Sequence, residues 1–201
     1  YKPNIIIVDK MTQNQNVVDD LRKIGFNVVY TGANTFSEVY SKIETISLAI
    51  NKLDDGKKLI DSMQNEIKML HSQAKEASVN NKKNKIYFEI SPLEYGLWTG
   101  GNNTFFNEIS EFLNCENIFA KDFSGWAQVS QEQVIKSNPD YIITVSNIQN
   151  NPEFTVNEIK RRTGWDNISA VQNDKVFYID SDVLSRPGPR LIDGIKLMYN
   201  C

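Results

Sequence analysis

One histidine and two cysteines in 201 residues leave little with which to build a transition-metal centre. Zinc-type sites take three or four nitrogen or sulfur ligands, and His71, Cys115 and Cys201 are widely separated in the chain. Two cysteines also make no disulfide framework, so both are read as free thiols. No apolar run approaches the roughly 18 residues of a membrane-spanning helix. The first residues, YKPNIII, show neither the charged start nor the cleavage site of a signal peptide, which leaves a cytosolic chain or one whose signal is removed. A net charge of −3 offers no basic excess for general nucleic-acid or membrane-surface binding. Catalytic signatures are missing too: there is no Gly-rich phosphate loop, no GxSxG and no paired metal-ligand motif. Glu89 and Glu94 could do acid–base work, but no nucleophile or base accompanies them.

What is present is an alternation of strands and helices. NIIIV (4–8) reads as a buried parallel strand, NVVDDLRKIG (16–25) as a helix stopped by Gly25, and FNVVY (26–30) as a second buried strand. From Thr35 to about Ala77 two apolar stripes at helical spacing follow without a strand. Asp54-Asp55-Gly56 marks either a break between these helices or, at Asp54, the cap of the second. After the polar SVNNKKNK (78–85), a new α/β pattern begins with IYFEI (86–90). It continues through the helix TFFNEISEFL (104–113), the short strand NIF (117–119) and SQEQVIKS (130–137), where Ser130 and Gln133 have capping-box spacing. The strand DYIITV (140–145), a helix over VNEIKRRTG, the strand KVFYI (175–179) and a final helix from about Pro189 complete the pattern. The expected fold is α/β, with parallel-sheet lobes bridged by a long helix. The division is residues 1–34 as the remnant of a first lobe, 35–84 as bridging helices and linker, and 85–201 as a second lobe. The first part is one β-α-β unit, too small for a core of its own, so this lobe is expected to be incomplete.

In open α/β sheets ligands sit beyond the carboxyl ends of the strands. That rule selects the loops after Val8, at Tyr30-Thr31-Gly32, at SPLEYGLWTGGNN (91–103) and at DSDVLSRPGPR (180–190), with FSGWAQVS (123–130) as a fifth. Tyr95, Trp98 and Trp126 are read as loop aromatics suited to a wide, flat, partly apolar ligand; Trp165 is read as packing. Thr99-Gly100-Gly101-Asn102 is either an anion cradle at a helix start or a plain turn. Pro187 and Pro189 stiffen their loop. Arg186 is therefore expected to face the ligand, while Arg190 pairs with Asp193 or a neighbouring loop.

The blocks EISPLEYGLWTGGNNTFFNEI (89–109), ENIF (116–119), GWAQVSQEQVIKSNPDYII (125–143) and RPGPR (186–190), with KPNIII (2–7) near the start, resemble ABC-transporter substrate-binding proteins for cobalamin and iron–siderophore complexes. The resemblance covers essentially the whole chain. It implies a non-enzymatic, extracytoplasmic receptor, periplasmic or lipid-anchored, that needs no cofactor. Such a receptor holds a cobalamin, another corrinoid or a ferric siderophore between two lobes and delivers it to an ABC permease. It implies ligand contacts from Tyr30, Tyr95, Trp98, Trp126 and Arg186. The chain departs from the cobalamin-binding pattern at Asp9, where an aromatic is expected, and at Val183, where some members carry Trp. Gln15 and Ser185 stand near the places of the acidic permease-docking residues. A heme held by axial histidine is disfavoured by the histidine count. The alternative is an interaction module of the same fold, completed by a partner or by a swapped homo-oligomer.

Overall fold

The computed structural model describes residues 2–10, 15–78 and 82–201. The chain divides into two compact units, Tyr1–Asn65 with Pro187–Pro189, and Glu66–Arg186 with Arg190–Cys201. In the first, strand β1 (Ile6–Asp9), helix α1 (Gln15–Lys23) and strand β2 (Val28–Thr31) form the expected β-α-β unit. The strands are parallel, with Ile6 opposite Val28 and Asp9 opposite Thr31. Gly25 takes φ 93°, a left-handed conformation that closes α1 as a following glycine should. The strands are not buried as their apolar runs suggest. Every residue of β2 is half-buried, and Ile7 is 49% exposed. Only two strands pair in this unit among the described residues, and α1 and α2 both pack against β2, which leaves its side chains half-buried throughout.

Helix α2 (Phe36–Ala49) starts at Thr35, whose hydroxyl accepts from the Glu38 amide. Helix α3 (Leu53–Ala77) follows, 25 residues and roughly 38 Å long. The break between them falls at Asn51, which has φ 58°, rather than at Asp54–Gly56. Asp54 sits in the first turn of α3. Gly56 lies inside that helix because α2 crosses there: a Cβ on Gly56 would stand 2.2 Å from the Ser47 hydroxyl oxygen. Helix α3 begins in the first unit and ends in the second.

The second unit contains strands β3 (Asn84–Glu89) and β4 (Leu97–Gly100), helix α4 (Phe105–Phe112), strands β5 (Cys115–Asn117) and β6 (Trp126–Val129), and helix α5 (Gln131–Ser137). Strand β7 (Tyr141–Thr144), helices α6 (Pro152–Lys160) and α7 (Ser169–Gln172), strand β8 (Val176–Tyr178), and helices α8 (Ser181–Leu184) and α9 (Leu191–Tyr199) follow. Four strands make a parallel sheet in the order β5-β3-β7-β8. Tyr87, Phe119, Ile142, Ile159 and Trp165 lie in its core, each at most 1% exposed, so Trp165 packs as expected. The capping box at Ser130 and Gln133 forms in full. Val183 is buried, and a Cβ on Gly194 would come within 2.7 Å of its carbonyl oxygen, so α8 lies directly against α9.

Candidate ligand-binding site

The segment 91–103 and the stretch around Trp126 are not simply loops. Strands β4 and β6 pair antiparallel into a ribbon, with Leu97 opposite Val129, Trp98 opposite Gln128 and Gly100 opposite Trp126. Opposite residues on such a ribbon share a face, and alternate residues change face. Leu97 and Val129 turn inward, whereas Trp98, Gln128 and Trp126 line the outer face. This alternation is the physical reason that two tryptophans 28 positions apart emerge diagonally on one face, with Gln128 directly across from Trp98.

The ribbon is fastened to the parallel sheet and to its own turn. The Ile90 amide, just past β3, donates to the Trp98 carbonyl at 2.9 Å. The Ser91 hydroxyl donates to the Gly96 carbonyl at 2.5 Å, and the Gln128 side-chain amide donates to the Tyr95 carbonyl at 3.2 Å. Gly96 has φ 84°, and a Cβ there would stand 2.4 Å from Gln128 Nε2. Glycine thus allows both the turn and the approach of Gln128. Trp126 lies edge-on to Phe105 and Phe106, with ring centroids at 5.4 and 5.6 Å. Its indole is supported from one side and still 36% exposed; Trp98 is 41% and Tyr95 68% exposed. The Tyr95 phenol is hydrogen-bonded to Glu94, which holds its pKa above the ordinary tyrosine range.

Three of the five residues anticipated from sequence, Tyr95, Trp98 and Trp126, therefore gather on one ribbon and its turn. Tyr30 belongs to the first unit, in β2, where it lines a pocket with Asp9, Lys10, Gln15 and Glu38. Asp9 is engaged by Lys42 at 2.7 Å. Arg186 follows α8 in the second unit, 76% exposed and ion-paired with Asp182 at 2.7 Å. Arg186 thus pairs with an aspartate of its own, because a helical i,i+4 step places Asp182 beside it. Arg190 caps α9 through its backbone, its carbonyl accepting from Asp193 N, and its side chain is exposed.

The glycine pair is not an anion cradle. The Gly101 amide donates to the Gly125 carbonyl at 2.8 Å and the Asn102 amide to the Phe123 carbonyl at 2.9 Å. A Cβ on Gly101 would stand 2.3 Å from the Phe123 carbonyl oxygen, so these glycines serve close backbone approach. Glu89 is no free acid–base group: it is fully buried and gripped by Arg162. Gln128 and Arg162 escaped the sequence reading, since each acts through a partner distant in the chain. No group of three histidine, cysteine, aspartate or glutamate side chains able to hold a metal ion occurs among the described residues.

A parallel α/β sheet with exposed aromatic rings beyond the carboxyl end of β3 has the arrangement in which open α/β folds hold ligands. The periplasmic binding protein family model matches residues 1–183, and the chain belongs to that family. It is a family of binding proteins, not of enzymes. The chain is 31% identical over 198 residues to the uncharacterized ABC transporter substrate-binding lipoprotein YvrC of Bacillus subtilis, covering 97% of this chain and 60% of that protein. It is 26% identical over 196 residues to the vitamin B12-binding protein of Vibrio cholerae, covering 97% and 66%. The chain therefore spans somewhat less than two thirds of these relatives. Among solved structures, a possible iron-binding (periplasmic solute-binding) protein of Staphylococcus epidermidis superposes with a TM-score of 0.84 at 30% identity, covering 98% of this chain and 75% of that one. The periplasmic vitamin B12-binding protein BtuF of Vibrio cholerae superposes with a TM-score of 0.75 at 25% identity, covering 98% and 73%.

Proposed function

We propose that the chain is the substrate-binding component of an ABC importer, working outside the cytoplasmic membrane. It captures a chelated metal complex, a corrinoid such as cobalamin or a ferric siderophore, and presents it to the permease. The observation that carries this reading is the outer face of the β4–β6 ribbon. Two partly exposed indoles share that face, and the Gln128 amide beside Trp98 holds the Tyr95 backbone next to them. Rigid aromatic faces take up a broad, partly apolar surface at low ordering cost, and the amide supplies direction. Arg186 would meet polar groups of the same ligand. The names of the relatives support the reading: one is a B12-binding protein and another an ABC transporter substrate-binding lipoprotein. The swapped-oligomer alternative draws no support from the structure or the relatives.

The test is a spectroscopic titration of the protein with cobalamin, ferric siderophores and heme, each of which has a visible absorption band. Saturable binding at micromolar concentration or below is expected for a corrinoid or a ferric siderophore. Failure of all of them at that level rules the reading out.

A further inference from the structure

Beyond the aromatic ribbon, the segment SNIQNN (146–151) leaves the carboxyl end of β7, an interior strand of the parallel sheet. We propose that this amide loop is part of the ligand site, and that with it the second unit selects neutral, amide- or hydroxamate-bearing metal chelates against polyanionic ones. The inference rests on the metal-chelate reading above and narrows it to a charge class.

Position comes first. The ladder between β3 and β7 runs one step past the strands, the Val145 amide donating to the Glu89 carbonyl at 3.1 Å. The next residue of β3's exit, Ile90, is bonded to the Trp98 carbonyl. Adjacent strands are about 4.8 Å apart, so the loop starts within roughly 10 Å of the Trp98 backbone. On the other side the Ile179 amide donates to the Thr144 carbonyl, which brings the exit of β8 alongside. The Asn147 side chain is hydrogen-bonded to the Tyr178 hydroxyl there.

Conformation comes second. Gln149 and Asn150 are consecutive left-handed residues, with φ 56° and 53°. Asparagine tolerates that region; glutamine gains nothing from it, so the loop is held there by its surroundings. The hold is visible: Thr155, fully buried, accepts from the Ile148 amide at 2.9 Å and donates to the Asn151 carbonyl at 3.0 Å. The shape is thus set before any ligand arrives, with Asn147, Gln149 and Asn150 exposed.

Charge comes third. The loop itself carries none. Segments 90–96, 145–151 and 179–190, which leave β3, β7 and β8, hold Glu94, Asp180 and Asp182 against Arg186 and Arg190. Arg186 is already paired with Asp182. With that pair set aside, a polyanion would meet the one exposed guanidinium of Arg190 against Glu94 and Asp180, and so no cationic excess. Primary amides donate and accept, and so match other amides and hydroxamates without any change of charge.

The experiment compares two matched pairs on the intact protein. One is an amide corrinoid against the polycarboxylate corrinoid made by hydrolysing its side-chain amides. The other is a neutral ferric trihydroxamate against a trianionic ferric tricatecholate. The uncharged member of whichever pair binds is expected to bind about tenfold more tightly or better. The double variant Asn147→Ala/Gln149→Ala should lose most of that preference, with melting lowered by no more than a few degrees for the lost bond to Tyr178. Asp182→Asn, which releases Arg186, should narrow the preference by strengthening the anionic member. Equal or tighter binding of the anionic member by the natural chain overturns the inference and leaves chelate binding standing; so does a preference untouched by the double variant. If no member of either pair binds, the chelate reading itself falls, and the inference with it.

Discussion

Arg162 grips Glu89 through two parallel hydrogen bonds, Nη1 to Oε2 at 2.6 Å and Nη2 to Oε1 at 2.9 Å, with side chains 3% and 0% exposed. The guanidinium also reaches Glu158 at 2.6 Å and lies 4.6 Å from the Trp165 ring centroid. Burial pushes the Glu89 carboxyl up, and the guanidinium opposes it. Removing Glu89 takes away the fully buried partner and leaves the guanidinium with only the part-exposed Glu158. Glu89→Ala is therefore expected to cost about 3–5 kcal/mol in urea unfolding. Glu89 ends β3, two residues before the serine that fastens the ribbon turn. Faster amide exchange through residues 90–100 should accompany the loss. A change under 1 kcal/mol would show that the pair contributes little to the fold.

Gly56→Ala tests the helix crossing in the first unit. The added methyl would stand 2.2 Å from Ser47 Oγ and 2.6 Å from Ser47 Cβ, so α2 and α3 must separate. The expected loss is about 1–3 kcal/mol, the usual cost of overpacking. Combining it with Ser47→Gly should restore most of that, because the atoms in conflict are then gone. A double variant as unstable as the single one would place the fault elsewhere.

How far the sequence foretells this fold depends on the range of each interaction. The β-α-β opening, the parallel strands and the capping box at Ser130 and Gln133 are visible because their causes lie within a few residues of one another. The ribbon is not, since four-residue strands holding glycine and threonine resemble loops until their partner is known. Its two tryptophans therefore read as loop aromatics, and the glutamine across from Trp98 carries no signal of its own. The Glu89–Arg162 pair joins positions 73 apart, and Arg162 within KRRTG reads as one more charged residue at a helix end. Asp54-Asp55-Gly56 reads as a break between α2 and α3 or, at Asp54, as a cap, whereas Asn51 makes the turn and Gly56 makes room for a neighbouring helix.

The two thiols should differ in reactivity and in their effect on stability with pH. Burial pushes Cys115 up to about 11, whereas Cys201 is exposed. A raised thiol pKa means that the folded state holds the proton more tightly than the unfolded chain does. Its stabilising contribution is complete below the ordinary value near 9.0 and is lost as pH rises through about 11. Unfolding free energy should fall across that window, and Cys115→Ala should flatten the fall. Alkylation at pH 8 should label Cys201 first; labelling of Cys115 at an equal rate would contradict its burial.

Trp98 and Trp126 share one face but differ in their support, and this difference separates binding from packing. Trp126 rests against Phe105 and Phe106, and Gly100 leaves room for it: a Cβ there would lie 3.0 Å from the indole. Trp126→Ala should therefore weaken ligand binding and also lower the melting temperature. Trp98 is the more exposed of the two, and its backbone, not its ring, ties the ribbon to β3. Trp98→Ala should weaken chelate binding by about 1–3 kcal/mol, the scale of an aromatic hot spot, with melting shifted by no more than about 2 °C. Trp98→Phe should recover part of the affinity, because a smaller ring still offers a flat face. Binding unchanged in Trp98→Ala, measured at the same temperature and salt, would remove the ribbon's outer face from the ligand site.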